Sequence, residues 1–146
     1  MKTLEFKIDI NADKQKVWNT MLQPETYKQW VNVSWPGSIY QGEWKQGQEM
    51  RFVSPGQGGT FAELKEVTPY DHIHAEHTAV INPDGSLDRD SDMAKGWIGT
   101  TESYTFTKKN GKTELKVQIK TSPAWEEMFS DGWPNALEKL KELCES

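Results

Sequence analysis

The chain has 146 residues, with 17 Lys and Arg against 22 Asp and Glu and a net charge of −5 at pH 7. That length fits a single domain spanning 1–146, large enough to bury roughly 70% of its extended-chain surface. An acidic balance, with a pI of about 5.2, argues against nucleic-acid partners and against an anionic membrane surface. Seven Trp, four Tyr and five Phe exclude a disordered chain, and so many rings in one small domain leave room for a cavity among them. No apolar run approaches the ~20 residues of a membrane span. The opening Met-Lys-Thr-Leu-Glu-Phe-Lys lacks the apolar core of a secretion signal, so a cytoplasmic location is expected. The single cysteine, Cys144, excludes an internal disulfide.

Leu4, Phe6, Ile8 and Ile10 alternate with charged residues, the period of a strand with one buried face. Asn11 or Asp13 can cap a helix over 14–22 that buries Val17, Trp18, Met21 and Leu22. Pro24 opens a second short helix carrying Tyr27 and Trp30 inward, and Pro36-Gly37 ends it. Strand character then recurs over 38–44, 48–53, 60–67 and 72–80, punctuated by Lys45-Gln46-Gly47, the glycine-rich turn at 55–59 and Pro69-Tyr70-Asp71. Tyr104 and Phe106 mark a further strand, Asn110-Gly111 a hairpin turn, and Leu115, Val117 and Ile119 the last strand. Trp125, Met128, Phe129, Trp133, Leu137, Leu140 and Cys144 recur at helical spacing, with a break expected near Gly132 and Pro134. One amphipathic sheet face and one amphipathic helix must cover each other. The predicted class is α+β, with a seven-stranded curved antiparallel sheet around a long C-terminal helix.

That order, with particular residues in place, resembles the START-like, birch-pollen-allergen-like superfamily of helix-grip domains. Within it the chain resembles the heat-shock-chaperone ATPase-activator homologue family. The segments carrying the resemblance are Ile10-Asn11-Ala12 with Val17-Trp18, Leu22-Gln23-Pro24-Glu25, Gln29-Trp30 and Glu66-Val67-Thr68-Pro69. Gly132-Trp133 before Ala136-Leu137 and Leu140 completes the set, so the match runs nearly end to end. Two departures are Pro134 directly after Gly-Trp and the long acidic segment from Ile81 to Thr100. That segment reads as a surface loop or as a lid bringing Met93 and Trp97 to a cavity mouth. The resemblance implies a fold that often encloses an apolar cavity, among relatives that include lipid binders, polyketide cyclases and chaperone activators.

The local motifs carry little chemistry by themselves. His72, His74 and Glu76 share one strand face, which reads as a polar outer face and not as a metal site. Asp88, Asp90 and Asp92 begin like a calcium loop, but its sixth position is Met93 and its twelfth Gly99. By strand parity only Glu66 and Glu102 could face inward as a carboxylate pair, and a bulge near Val67 could reverse that parity. No catalytic residue, metal or cofactor is assigned. The expected ligand-binding set lies between sheet and helix: Met50, Phe52, Leu64, Ala75 and His77 from the earlier strands, with Tyr104 and Phe106 beyond them. Trp125, Phe129 and Trp133 of the last helix complete it. A packed core and an open cavity both fit these residues.

The function expected is a binding module for a small hydrophobic ligand, with His77 and Tyr104 orienting its polar groups. A cyclase or aromatase with His77 or Tyr104 as acid-base group, and a co-chaperone working through its outer surface on a chaperone partner, are the alternatives.

Overall fold

The computed structural model describes residues 1–146, and in it the N-terminal alternation becomes strand β1 (Lys2–Ile10). Helix α1 (Lys14–Leu22) starts at Asp13, whose carboxylate accepts a hydrogen bond from the Lys16 N–H at 2.8 Å. Of the two possible caps this one reaches the third helical residue, where an unpaired N–H waits. Helix α2 (Pro24–Asn32) has Pro24 in its first turn, where no backbone donor is required.

Strands β2 (Ile39–Gln41), β3 (Glu49–Ser54), β4 (Gly58–Thr68) and β5 (His72–Ile81) follow. The strand expected over 38–44 keeps only three residues. Gly42 takes φ +124° and passes so close to Met50 that a Cβ there would sit 2.7 Å from its sulfur. Beyond β5 come β6 (Leu87–Asp88), α3 (Asp92–Trp97), β7 (Thr101–Lys109), β8 (Lys112–Thr121) and α4 (Pro123–Glu145). The sheet is antiparallel in the order β1-β8-β7-β5-β4-β3-β2, and β6 adds a short eighth strand to β5. The eighth strand forms because the Asn82 N–H and Ser86 carbonyl bond at 2.8 Å, folding the chain back on itself. The stretch from Ile81 to Thr100 is therefore a hairpin and then a helix.

Two register shifts between β4 and β5 decide which side chains face α4. Ala62 pairs with His77 and Phe61 with Ala79, leaving Thr78 as an extra residue; Leu64 pairs with Ala75 and Glu66 with His74, leaving Lys65 extra. Each extra residue reverses the facing of the strand beyond it. Ile73, Ala75 and His77 thus face the helix, while Ala79 and Ile81 join Phe61 in a separate cluster on the other face. At the second shift Val67 packs on the core and Glu66 is left exposed.

Helix α4 packs against β1, α1 and α2 and buries Phe129, Trp133, Ala136, Leu137 and Leu140. It runs without a break through Pro134, contrary to the sequence expectation. Pro134 and Ser130 are both exposed, so the carbonyl that loses its N–H partner faces solvent instead of the core. The buried side of the same turn is held firmly: Ser34 Oγ donates to the Gly132 carbonyl at 2.6 Å, and Trp35 lies flat against Gly132.

Gly132 would gain about 1 kcal/mol of helix propensity on replacement by Ala. Its new Cβ, however, would stand 2.5 Å from Trp35 Cζ2. Gly132→Ala is therefore expected to lower stability, by about 1 kcal/mol net after an overpacking cost of roughly 1–3 kcal/mol, read as a reduced urea midpoint. A raised midpoint would show that Trp35 does not pin the helix.

Candidate functional site

The rings contributed by α2, α4 and the sheet do not fill the space between them. They enclose a cavity of about 220 Å³, lined by 21 residues of which 14 are hydrophobic. Filled at the density of a protein interior, such a space takes on the order of ten non-hydrogen atoms. Ten of the lining residues, Trp35, Ser38, Ser54 and Met128 among them, are not fully buried, so the cavity is open to solvent.

The walls are built by specific contacts. Trp133 meets Trp30 at 5.8 Å, Trp35 at 5.5 Å and Tyr104 at 5.8 Å between ring centroids. On the opposite side Trp97 of α3 stacks on Phe129 at 5.9 Å and touches the His77 ring at 4.7 Å. Ser91 caps α3 by accepting from the Ala94 N–H, and the helix delivers Trp97 inward while Met93 stays exposed. Only one of the two residues of the lid reading, Trp97, reaches the cavity.

Five of the residues expected from the sequence line the cavity: Phe52, His77, Tyr104, Phe129 and Trp133. Met50, Leu64, Ala75 and Phe106 point to the same side but are consumed by core packing, all at 2% exposure or less. Trp125 stands behind Trp97, edge-on at 5.3 Å. The outer-face histidines behave as polar surface groups, His72 Nδ1 lying 3.0 Å from Thr105 Oγ1 and His74 Nδ1 2.6 Å from Ser103 Oγ.

The polar centre is a residue the sequence reading gave no role. Glu102 lines the cavity, on the same face of β7 as Tyr104 and Phe106, with its side chain 14% exposed. Tyr104 Oη donates to Glu102 Oε2 at 2.6 Å, and His77 Nε2 stands 3.6 Å from Oε1, too long for a direct hydrogen bond. Burial pushes the Glu102 carboxyl up, but the neighbouring His77 imidazole and the Tyr104 O–H more than offset it and hold the group below its ordinary value. Burial and the Glu102 charge together push Tyr104 well above the ordinary phenol value, so it remains a donor. Tyr27, also on the wall, is raised by burial first and by the same carboxylate second. The alternation Glu102, Tyr104, Phe106 was the available signal for Glu102. Strand parity pairs it with Glu66, and the bulge that turns Glu66 outward removes that partner.

A carboxyl lowered on folding contributes stability that is complete above its unfolded value, near 4.5, and is lost as pH falls through the folded value. Wild-type protein should therefore lose stability below about pH 5 more steeply than Glu102→Gln, measured by urea unfolding across pH; parallel curves would show that the carboxylate is not held ionised. Tyr104→Phe deletes a bond to a charged acceptor and is expected to cost about 1.5–3 kcal/mol at neutral pH, again by urea unfolding.

No helix is long and apolar enough to cross a membrane. Among functionally curated proteins, none matches this sequence closely. Solved structures share the fold at low identity. Protein MLL2253 of Mesorhizobium loti is 16% identical with a TM-score of 0.76, over 97% of this chain and 96% of that one. The Aha1 dimer of Colwellia psychrerythraea is 18% identical with a TM-score of 0.73, over 99% and 97%. DynU16, of the dynemicin biosynthetic locus, is 14% identical with a TM-score of 0.73, covering all of this chain but 48% of its own length. The sequence profile described as activator of Hsp90 ATPase homolog 1-like protein matches residues 11–145. With the helix-grip architecture in place and the match running across almost every element of it, the chain belongs to that family.

Proposed function

We propose that the domain binds one small, largely apolar, ring-sized molecule in the cavity between the sheet and α4. The observation that carries this reading is that space and unpaired polar groups coincide. Buried side-chain atoms without a hydrogen-bond partner are the indole nitrogens of Trp44, Trp97 and Trp133, both ring nitrogens of His77, and Ser122 Oγ. All but Ser122 belong to residues lining the cavity. Buried donors are normally paired, and each one left alone costs about 1–3 kcal/mol. A ligand with acceptor atoms supplies the missing partners, and the aromatic walls supply its desolvation. Because the Tyr104 hydroxyl is already committed to Glu102, orientation of the ligand falls to Glu102 and His77. The volume suits one or two rings and not a long acyl chain.

Two other readings have an observation behind them. The His77–Glu102–Tyr104 cluster facing an apolar cavity is the kind of group that moves protons in a cyclase-type enzyme. Against it stands the size of the cavity, small for a linear polyketide. Membership of the activator family favours a co-chaperone role on the outer surface, which needs no cavity at all.

An NMR titration with one- and two-ring aromatic compounds separates these readings. Saturable shifts are expected at Phe52, His77, Tyr104 and Phe129, with the indole N–H signals of Trp44, Trp97 and Trp133 moving and that of Trp18, outside the cavity, staying put. Shifts nowhere in this set would end the cavity reading and direct attention to stimulation of a chaperone ATPase. Turnover of a polyketone lost in Glu102→Gln would establish the enzyme.

A further inference from the structure

We propose that the molecule bound is a small organic cation that also carries an acceptor atom, its ammonium group meeting the Glu102 carboxylate and its acceptor the unpaired indole N–H groups of the ring-lined walls. This deepens the cavity reading and rests on it. The charge inventory of the walls is one-sided: among the 21 lining residues Glu102 is the only carboxylate, and none is Lys or Arg. Nine of the 21 are Trp, Tyr or Phe, whose ring faces present negative charge. An anionic ligand would meet a like charge and those faces with no lysine or arginine to offset them. A neutral apolar ligand would bury the carboxylate further without giving it anything in return.

Glu102 has capacity to spare. A carboxylate offers about four lone-pair directions. One of them takes the Tyr104 O–H at 2.6 Å, and His77 approaches a second only to 3.6 Å. The side chain retains 14% of its surface open, and Glu102, Tyr27 and Tyr104 all line the cavity. The one competitor for that charge is His77. A protonated imidazole would neutralise the carboxylate and leave the cavity indifferent to ligand charge.

The test uses three probes of nearly equal size, each within the volume available: benzylammonium, benzyl alcohol and benzoate. They are titrated into the full chain near pH 7.5, followed by tryptophan fluorescence and by NMR of the indole N–H groups. Benzylammonium is expected to bind roughly tenfold or more tighter than the alcohol, as for a desolvated cation–π site with a counter-charge, with benzoate weakest. In Glu102→Gln that preference disappears, the ammonium probe falling to the level of the alcohol. Glu138→Gln removes an equal charge from the exposed side of α4 and should preserve the preference, which separates a local effect from attraction to a chain of net charge −5. Equal binding of ammonium and alcohol, or tighter binding of benzoate, overturns the cation assignment and leaves the cavity reading standing. Failure of all three probes to move any cavity signal overturns both.

Discussion

Trp133 sits where four segments of the chain meet. Its indole joins α4 to Trp30 of α2, to Trp35 in the turn after α2, and to Tyr104 of β7. Every other feature of the interior depends on that junction, because it fixes how far α4 stands from the sheet. Aliphatic side chains could interdigitate at such a junction and close it. Large rigid rings meeting at angles of 32° to 69° cannot follow one another's contours as well, and the space left between them is the cavity. The absence of a side chain at Gly132 is part of the same arrangement, since it lets Trp35 lie directly on the helix backbone.

A second constraint is the charge placed in this apolar setting. An ionised carboxylate away from bulk solvent is costly unless it is paired and hydrogen-bonded. Glu102 is hydrogen-bonded by Tyr104 of its own strand and faces His77 of β5 across 3.6 Å. The phenol is held protonated by the same charge that it stabilises. The three residues form one polar cluster in the wall, and the bulge at Thr78 leaves His77 in it while Ala79 and Ile81 beyond the bulge turn to the other face.

Family membership defines the architecture here and leaves the activity open. The name of the family points to chaperone activation, one of the structural relatives comes from a biosynthetic locus, and the interior holds a ring-lined cavity. These concern different surfaces of one fold. Function resides in the site and not in the fold, and in this chain the unusual site is the charged, ring-lined interior.

The α+β class and its helix-grip order could be read from the chain, as could the inward positions on the strands. The period-two alternation of Leu115, Val117 and Ile119 and the helical spacing of Phe129, Trp133, Leu137 and Leu140 are local signals, set by backbone geometry and burial alone. For the same reason Phe52, His77, Tyr104, Phe129 and Trp133 could be expected beneath α4. What local periodicity does not contain is distance between elements. Whether inward residues pack together or stand apart was decided by the ring contacts around Trp133, so Met50, Leu64, Ala75 and Phe106 became core while their neighbours became wall. The segment from Ile81 to Thr100 has no periodicity of its own, and only docking against His77 and Phe129 turned Trp97 into part of that wall. Glu102 shows the division most clearly: its side of the strand came from alternation with Tyr104, but its charge state depends on groups that only the folded chain brings to within hydrogen-bonding and ion-pairing reach.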